Sequence, residues 1–263
     1  MELAISNIAW DNTDNEKIYR WMQQYGYSGL EIAPTKILQG KPYEHLKEAE
    51  KWSRELKAVY GFGVPSMQSI WFGRQENLFG THEERKTLLE YSKQAVQFAV
   101  TIGCKNLVFG CPRNRQKPDN AKEEVALDFF YALGEYAKEH EVVIGMEANP
   151  PIYQTNYIND TLSALKLVKK VDSRGFLLNL DVGTMIANGE SVEILKGEVA
   201  YINHVHISEP WLKPIEQRAL HSELIERLSK ERYKGFISIE MAKTDLSEIQ
   251  IALEYLKSLV KSI

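Results

Sequence analysis

Four residues of metal-ligating type close successive apolar runs in the second half of the sequence. Glu147 ends Ile144-Gly145-Met146-Glu147, Asp181 ends Leu178-Asn179-Leu180-Asp181, His206 ends His204-Val205-His206, and Glu240 ends Ser238-Ile239-Glu240. They are separated by 34, 25 and 34 residues, each close to the length of one strand-helix unit. Side chains so spaced are expected to stand at similar height around half of one sheet mouth. Three carboxylates converging in an apolar setting would desolvate and repel one another unless a cation neutralised them. Three oxygen donors with one imidazole favour Mn2+, Mg2+ or Co2+ and tolerate Zn2+, so one divalent metal ion is the expected cofactor. Such an ion stabilises the charge that develops on a carbonyl and its neighbouring hydroxyl when a carbon-bound proton leaves. A single strand-end carboxylate is more often a helix cap or a surface ion pair than a ligand; four such residues at matching strand ends are harder to explain that way.

Alternation along a strand supplies a second observation. Residues two before each candidate face the same way, which puts Gly145, Asn179, His204 and Ser238 one layer below. That layer is small or polar, where a purely structural barrel would carry Val, Ile or Leu. Partners that orient metal ligands are of this type. His204 taken alone reads as a buried, hydrogen-bonded core histidine.

The elements that must hold these residues follow from the periodicity. Short apolar runs at 3–10, 29–33, 64–70, 106–111, 142–148, 176–182, 201–208 and 235–241 alternate with longer helical patterns. That alternation is the signature of strand-helix units in a parallel sheet. In the helical pattern over 82–103, Leu88, Leu89, Tyr91, Ala95, Val96, Phe98, Ala99 and Ile102 recur at three and four residues and form one apolar face. The last pattern, over 246–262, has Asp245 as its cap and Glu248 at the capping-box position. Eight units in 263 residues match a (β/α)8 TIM barrel of about 250 residues. The chain therefore reads as an α/β protein forming one such domain over 1–263. An open doubly wound sheet is the alternative, but it usually carries a glycine-rich turn after its first strand. Ser6-Asn7-Ile8-Ala9-Trp10-Asp11 has none.

Composition excludes several functions. Basic residues number 32 against 36 acidic, for a net charge of −4, and no basic block could neutralise a row of phosphates, so nucleic acid is not an expected partner. Two cysteines, Cys104 and Cys111, cannot build a disulfide framework. Met1-Glu2-Leu3 opens without a basic patch before an apolar stretch. No run of about 18 apolar residues follows, and a cytoplasmic protein without a membrane span is expected.

Glu147, Asp181, His206 and Glu240, with the phrases Asn179-Leu180-Asp181-Val182-Gly183 and Ser238-Ile239-Glu240-Met241, resemble the sugar phosphate isomerase/epimerase family with its xylose-isomerase-like barrel. The likeness covers nearly the whole chain. It implies that the four residues hold one divalent metal from strands five to eight, and that the partner is a small-molecule sugar or sugar phosphate. Barrels of this kind often associate, so a homo-oligomer is compatible with it. Glu31, ending Gly29-Leu30-Glu31, resembles a family position near the substrate and reads equally as a buried carboxylate paired with a neighbouring strand. This chain departs from many relatives at Thr184, where they carry a histidine three residues after the strand-six aspartate. Related zinc-dependent abasic-site endonucleases use extra histidines at the ends of strands three and four, and here those regions offer Gln68 and Cys111. A trinuclear zinc cluster therefore lacks ligands.

Other residues fall near the expected mouth. Arg113 and Arg115 could hold an anionic substrate group with their guanidinium forks, or lie in a solvated loop. Lys213, Arg218 and His221 follow strand seven, and His221 either donates to a substrate hydroxyl or caps and packs. Trp10 and Trp71 either stack on a sugar ring or pack in the core. Glu31, Gln68, Arg113, Asn149 and His221 form the candidate substrate-binding set. The expected reaction is isomerisation or epimerisation of a keto sugar or sugar derivative through an enediolate, with Glu147 and Glu240 as catalytic acid and base. A lyase resembling the inosose dehydratases, and a non-catalytic sugar-binding barrel, are the alternatives.

Overall fold

The computed structural model describes residues 1–261, so Ser262, the last residue of the helix expected over 246–262, lies outside the described residues. Eight parallel strands line the interior: β1 Glu2–Ser6, β2 Gly29–Glu31, β3 Ser66–Met67, β4 Asn106–Phe109, β5 Val143–Glu147, β6 Phe176–Asp181, β7 Ile202–Ser208 and β8 Phe236–Glu240. Helices alternate with them: α1 Asn15–Tyr25, α2 Pro34–Ile37, α3 Leu46–Tyr60, α4 His82–Ile102, α5 Glu124–Glu139, α6 Thr161–Val171, α7 Val182–Asn188, α8 Ala219–Lys230 and α9 Leu246–Lys261. The ladder runs β2-β1-β8-β7-β6-β5-β4-β3. Its two edges meet through the Leu30 N–H on the Gly63 carbonyl at 2.9 Å, the Ile32 N–H on Ser66 at 3.2 Å and the Gln68 N–H on Ile32 at 2.9 Å. The result is a nearly closed (β/α)8 TIM barrel, as the alternation of patterns indicates.

Several strands are shorter than their apolar runs, for local reasons. β1 stops at Ser6, whose hydroxyl accepts the Ile8 N–H and starts a 3-10 turn over Asn7–Ala9. β3 keeps two residues of the expected seven. Pro65 has no N–H to donate, and Ser69 turns the chain at φ 56°. β4 ends before Gly110, and Cys111 takes φ 45°. α4 starts in a capping box between Thr81 and Glu84 and ends where Gly103 adopts φ 72°, a conformation that favours glycine.

Between sheet and helices the core is aromatic. Trp71 packs edge-on against Phe109 at 4.6 Å, Phe109 on Phe130 at 4.9 Å, and Phe130 stacks on Phe176 at 4.8 Å. Trp71, buried with its indole N–H on Ser92 Oγ, is thus a packing residue. Inside the barrel the layer beneath the mouth is polar. Asn106 donates to Ser66 Oγ at 2.9 Å and to Asn179 Oδ1 at 3.3 Å, and Ser66 donates to Glu31 at 3.1 Å. Gly145 makes room for it, because a Cβ there would lie 2.7 Å from Asn106 Oδ1 and 3.0 Å from Asn179 Cβ. No helix among the described residues is long and apolar enough to cross a membrane.

Candidate metal centre

Strand register brings the four strand-end residues together by steps. Asp181 pairs level with His206, whereas Glu147 pairs with Asn179 and Glu240 with Ser208. Because the strands tilt, this stagger of the register offsets the tilt and carries the four strand ends to the same mouth. There the side chains converge. One potential ligand atom from each of Glu147, Asp181, His206 and Glu240 lies within 4.8 Å of all the others. His206 is fully buried, Glu147 and Glu240 are nearly so, and Asp181 is partly exposed.

Each member is held by neighbours that set its orientation. His206 directs Nε2 at Glu31 Oε1, 2.9 Å away, so its Nδ1 faces Glu147 at 3.0 Å and Glu240 at 3.2 Å. Donation of Nε2–H to a buried carboxylate is the arrangement that commonly orients metal-binding histidines, and an ion would take Nδ1 in place of its proton. Asp181 accepts from the Thr184 N–H at 2.7 Å, from the Thr184 hydroxyl and from the Ser208 hydroxyl. Glu147 accepts from Asn179 at 3.0 Å and Asn149 at 3.2 Å. Glu240 accepts from Gln68 at 2.8 Å, and Gln68 in turn accepts from Ser6 at 2.6 Å.

Electrostatics makes the cluster short of positive charge. Burial, reinforced by the charge of Glu147, raises the Asp181 pKa to about 6. Burial likewise raises Glu240 to about 7, opposed by His206 and reinforced by Glu147 and Asp181. Burial disfavours the charged form of His206, but Glu31 and Glu240 outweigh it and hold the imidazolium well above its ordinary range. Carboxylates that retain protons near neutrality in a buried nest are the groups a divalent cation would discharge. The donor set, the shared 4.8 Å span and the preset imidazole all fit such an ion.

The candidate substrate-binding residues are distributed differently. Gln68 and Asn149 touch the carboxylates directly. Glu31 does not face the mouth: it is completely buried, and its oxygens receive His204, His206 and Ser66. Of its two sequence readings, this is the buried carboxylate paired with neighbouring strands, placed to orient His206. His221 takes the packing alternative of its two readings. It lies on α8, buried, with Nδ1 3.1 Å from the Tyr255 hydroxyl on α9, in the outer helical layer rather than at the mouth. Arg113 is exposed. Its neighbour Arg115, read as a loop cation, is instead fully buried and donates to the Glu147 carbonyl at 2.9 Å and to Asn149 Oδ1 at 2.7 Å. With Oδ1 so occupied, the Asn149 amide must turn its N–H2 toward Glu147. Arg218 is engaged by Glu209 and Glu216. Trp10 is buried with its N–H on Asn15. No signal in the sequence marked Ser208, nor Tyr153 and Trp211, two aromatics that meet between the turns after β5 and β7.

The family model for the xylose isomerase-like TIM barrel matches residues 19–259. The chain belongs to this family. No curated protein matches the sequence. Among solved structures, a 3-keto-D-glucoside 4-epimerase from E. coli is 18% identical, with 99% of each chain covered and a TM-score of 0.77. D-psicose 3-epimerase from Clostridium cellulolyticum H10, solved with D-tagatose, is 14% identical over 100% of this chain and 99% of that one, with a TM-score of 0.80. An AP endonuclease, family 2, from Brucella melitensis is 18% identical over 96% and 97%, with a TM-score of 0.73. At these identities the likeness establishes the barrel. Proteins of this architecture are thus named for different reactions, and the residues at the mouth must decide.

Proposed function

We propose that this protein is a divalent-metal-dependent isomerase or epimerase of a keto sugar or sugar derivative. The observation that carries the reading is the convergence of Glu147, Asp181, His206 and Glu240 within 4.8 Å. It is supported by the sugar epimerases among the structural neighbours. An abasic-site endonuclease is disfavoured, because Gln68 and Cys111 stand where that chemistry would place further histidines.

The four residues would hold the ion, Asp181 and His206 as ligands only and the two glutamates as ligands that also face the substrate. When bound, the ion supplies Lewis-acid stabilisation of negative charge on a carbonyl and the hydroxyl beside it. The protein supplies the proton transfer. Each glutamate has one oxygen beside His206 Nδ1 and a second steered by an amide, Asn149 for Glu147 and Gln68 for Glu240. One glutamate removes the proton from the carbon next to the carbonyl, leaving an enediolate. Return of a proton by the other glutamate to the opposite face inverts that carbon; return to the former carbonyl carbon interconverts ketose and aldose.

The test is incorporation of solvent deuterium into keto sugars by the Mn2+-supplemented protein, followed by NMR. Exchange at the carbon next to the carbonyl, lost on chelation and lost in both Glu147→Gln and Glu240→Gln, is the expected result. Exchange that survives in the double variant would refute the two bases. Release of a dehydrated keto product would assign the lyase instead.

A further inference from the structure

Two aromatic side chains stand together over the carboxylate cluster, and the proton transfer above makes no use of them. Tyr153 ends the 3-10 turn Pro151–Tyr153 after β5, and Trp211 lies in the turn Pro210–Leu212 after β7. These loops leave the barrel on either side of β6, the strand that ends in Asp181. The rings meet edge to face at 5.4 Å and 64°, and the Trp211 backbone N–H donates to the Tyr153 hydroxyl at 2.8 Å. Burial, with the charges of Asp181, Glu240 and Glu147 adding to it, pushes the Tyr153 hydroxyl pKa up to about 12, so the ring is within electrostatic reach of all three carboxylates.

Trp211 is nevertheless 58% exposed. It is also fixed. Trp211 and Leu212 take φ values of 66° and 52°, a region that side-chain-bearing residues rarely enter. The Leu212 N–H on the Glu209 carbonyl at 2.8 Å, and the Ala242 N–H on the Leu212 carbonyl at 2.7 Å, hold it there. The second bond ties the loop to the segment just past Glu240. A large apolar face is thus presented to solvent at the mouth by a backbone that cannot easily withdraw it.

A six-membered sugar ring with equatorial hydroxyls exposes a patch of C–H groups that fits an indole face, whereas an open-chain polyol has no fixed face and loses more rotational freedom on binding.

We infer that Trp211 and Tyr153 form the specificity wall of the site, and that the substrate is a six-membered ring ketone whose ring stays closed. The C–H face of the ring lies on the indole, and its carbonyl and adjacent hydroxyl face the carboxylates. Keto-pyranosides and ketocyclitols share this chemistry. The inference rests on the keto-sugar reading above, and its test separates the two. Binding is measured by saturation-transfer NMR in Mg2+ buffer with two non-reactive probes, methyl β-D-glucopyranoside and sorbitol. The glucoside should receive saturation on its axial ring protons. Its affinity should fall by about tenfold or more in Trp211→Ala and largely recover in Trp211→Phe, which keeps an aromatic face. Sorbitol should bind more weakly and be indifferent to the substitution. Absence of glucoside binding, equal affinity in Trp211→Ala, or equal binding of sorbitol would overturn the wall. If the wall fails while wild type and Trp211→Ala both exchange solvent hydrogen into a keto sugar, the isomerase reading stands without it. If the glucoside binds through Trp211 but no keto sugar exchanges, the wall stands and the isomerase reading falls.

Discussion

The residues nearest the cluster act through orientation, and two substitutions that leave all four ligands in place test this. Glu31→Gln removes the charge that fixes His206 Nε2 and should weaken Mn2+ binding by about 10- to 100-fold, measured by isothermal titration with circular dichroism unchanged. Wild-type affinity in that variant would mean that Glu31 serves the core alone. Gly110→Ala places a Cβ 2.7 Å from Glu147 Oε2 and should displace that carboxylate, lowering metal affinity more than stability. If instead the metal binds normally, the side chain has room to move aside. At this scale the four residues that cluster were legible in the sequence, because each closes an apolar run at about one strand-helix unit from the next. It concealed the supports. Arg115 reaches Glu147 and Asn149 across more than thirty residues, and its Pro-Arg-Asn-Arg setting is indistinguishable from that of a surface loop until β5 lies against it. Thr184, a departure from relatives when read in sequence, proves to orient Asp181 with both its N–H and its hydroxyl.

Helices and strands carry the next set of consequences. The eight apolar runs were readable because each strand is covered on one face by a helix and lined on the other by its own alternate residues. Their ends were less so: Pro65, Ser69 and Cys111 end pairing through backbone conformation that hydrophobicity does not encode. The polar layer inside the barrel depends on close approach at Gly145. Gly145→Ala should cost about 1–3 kcal/mol in urea unfolding, since the new Cβ meets Asn106 and Asn179; no loss would show that this layer repacks freely. Between α8 and α9, His221 was readable only as a residue near strand seven, because the helix phase that turns it toward Tyr255 depends on where α8 begins. Burial, aided by the charge of Arg218, lowers its pKa to about 4. The folded state thus prefers the neutral ring, so its contribution is complete above about pH 6.5 and is lost as the pH falls toward 4. Thermal melts between those limits should show His221→Leu with a flatter acid slope than wild type. Parallel slopes would place the acid sensitivity elsewhere.

For the molecule as a whole, the barrel gathers three carboxylates and His206 from four strands into one nest that is short of positive charge. Folding and metal binding are then linked: free Mn2+ at 100 times its Kd should stabilise the protein by about 2.7 kcal/mol, read as a rise in melting temperature that chelator abolishes. The fold was legible from the order of patterns along the chain, and the family match agrees with it. The wall of Tyr153 and Trp211 was not, because it forms between loops from strands five and seven whose sequences carry no shared signal. The most direct test of the account is the metal content of the purified protein, by elemental mass spectrometry, for wild type, Asp181→Ala and His206→Ala. One equivalent of a divalent metal in the wild type and little in either variant is the predicted result. A wild type without metal, and without thermal stabilisation when Mn2+ or Zn2+ is added, would contradict it.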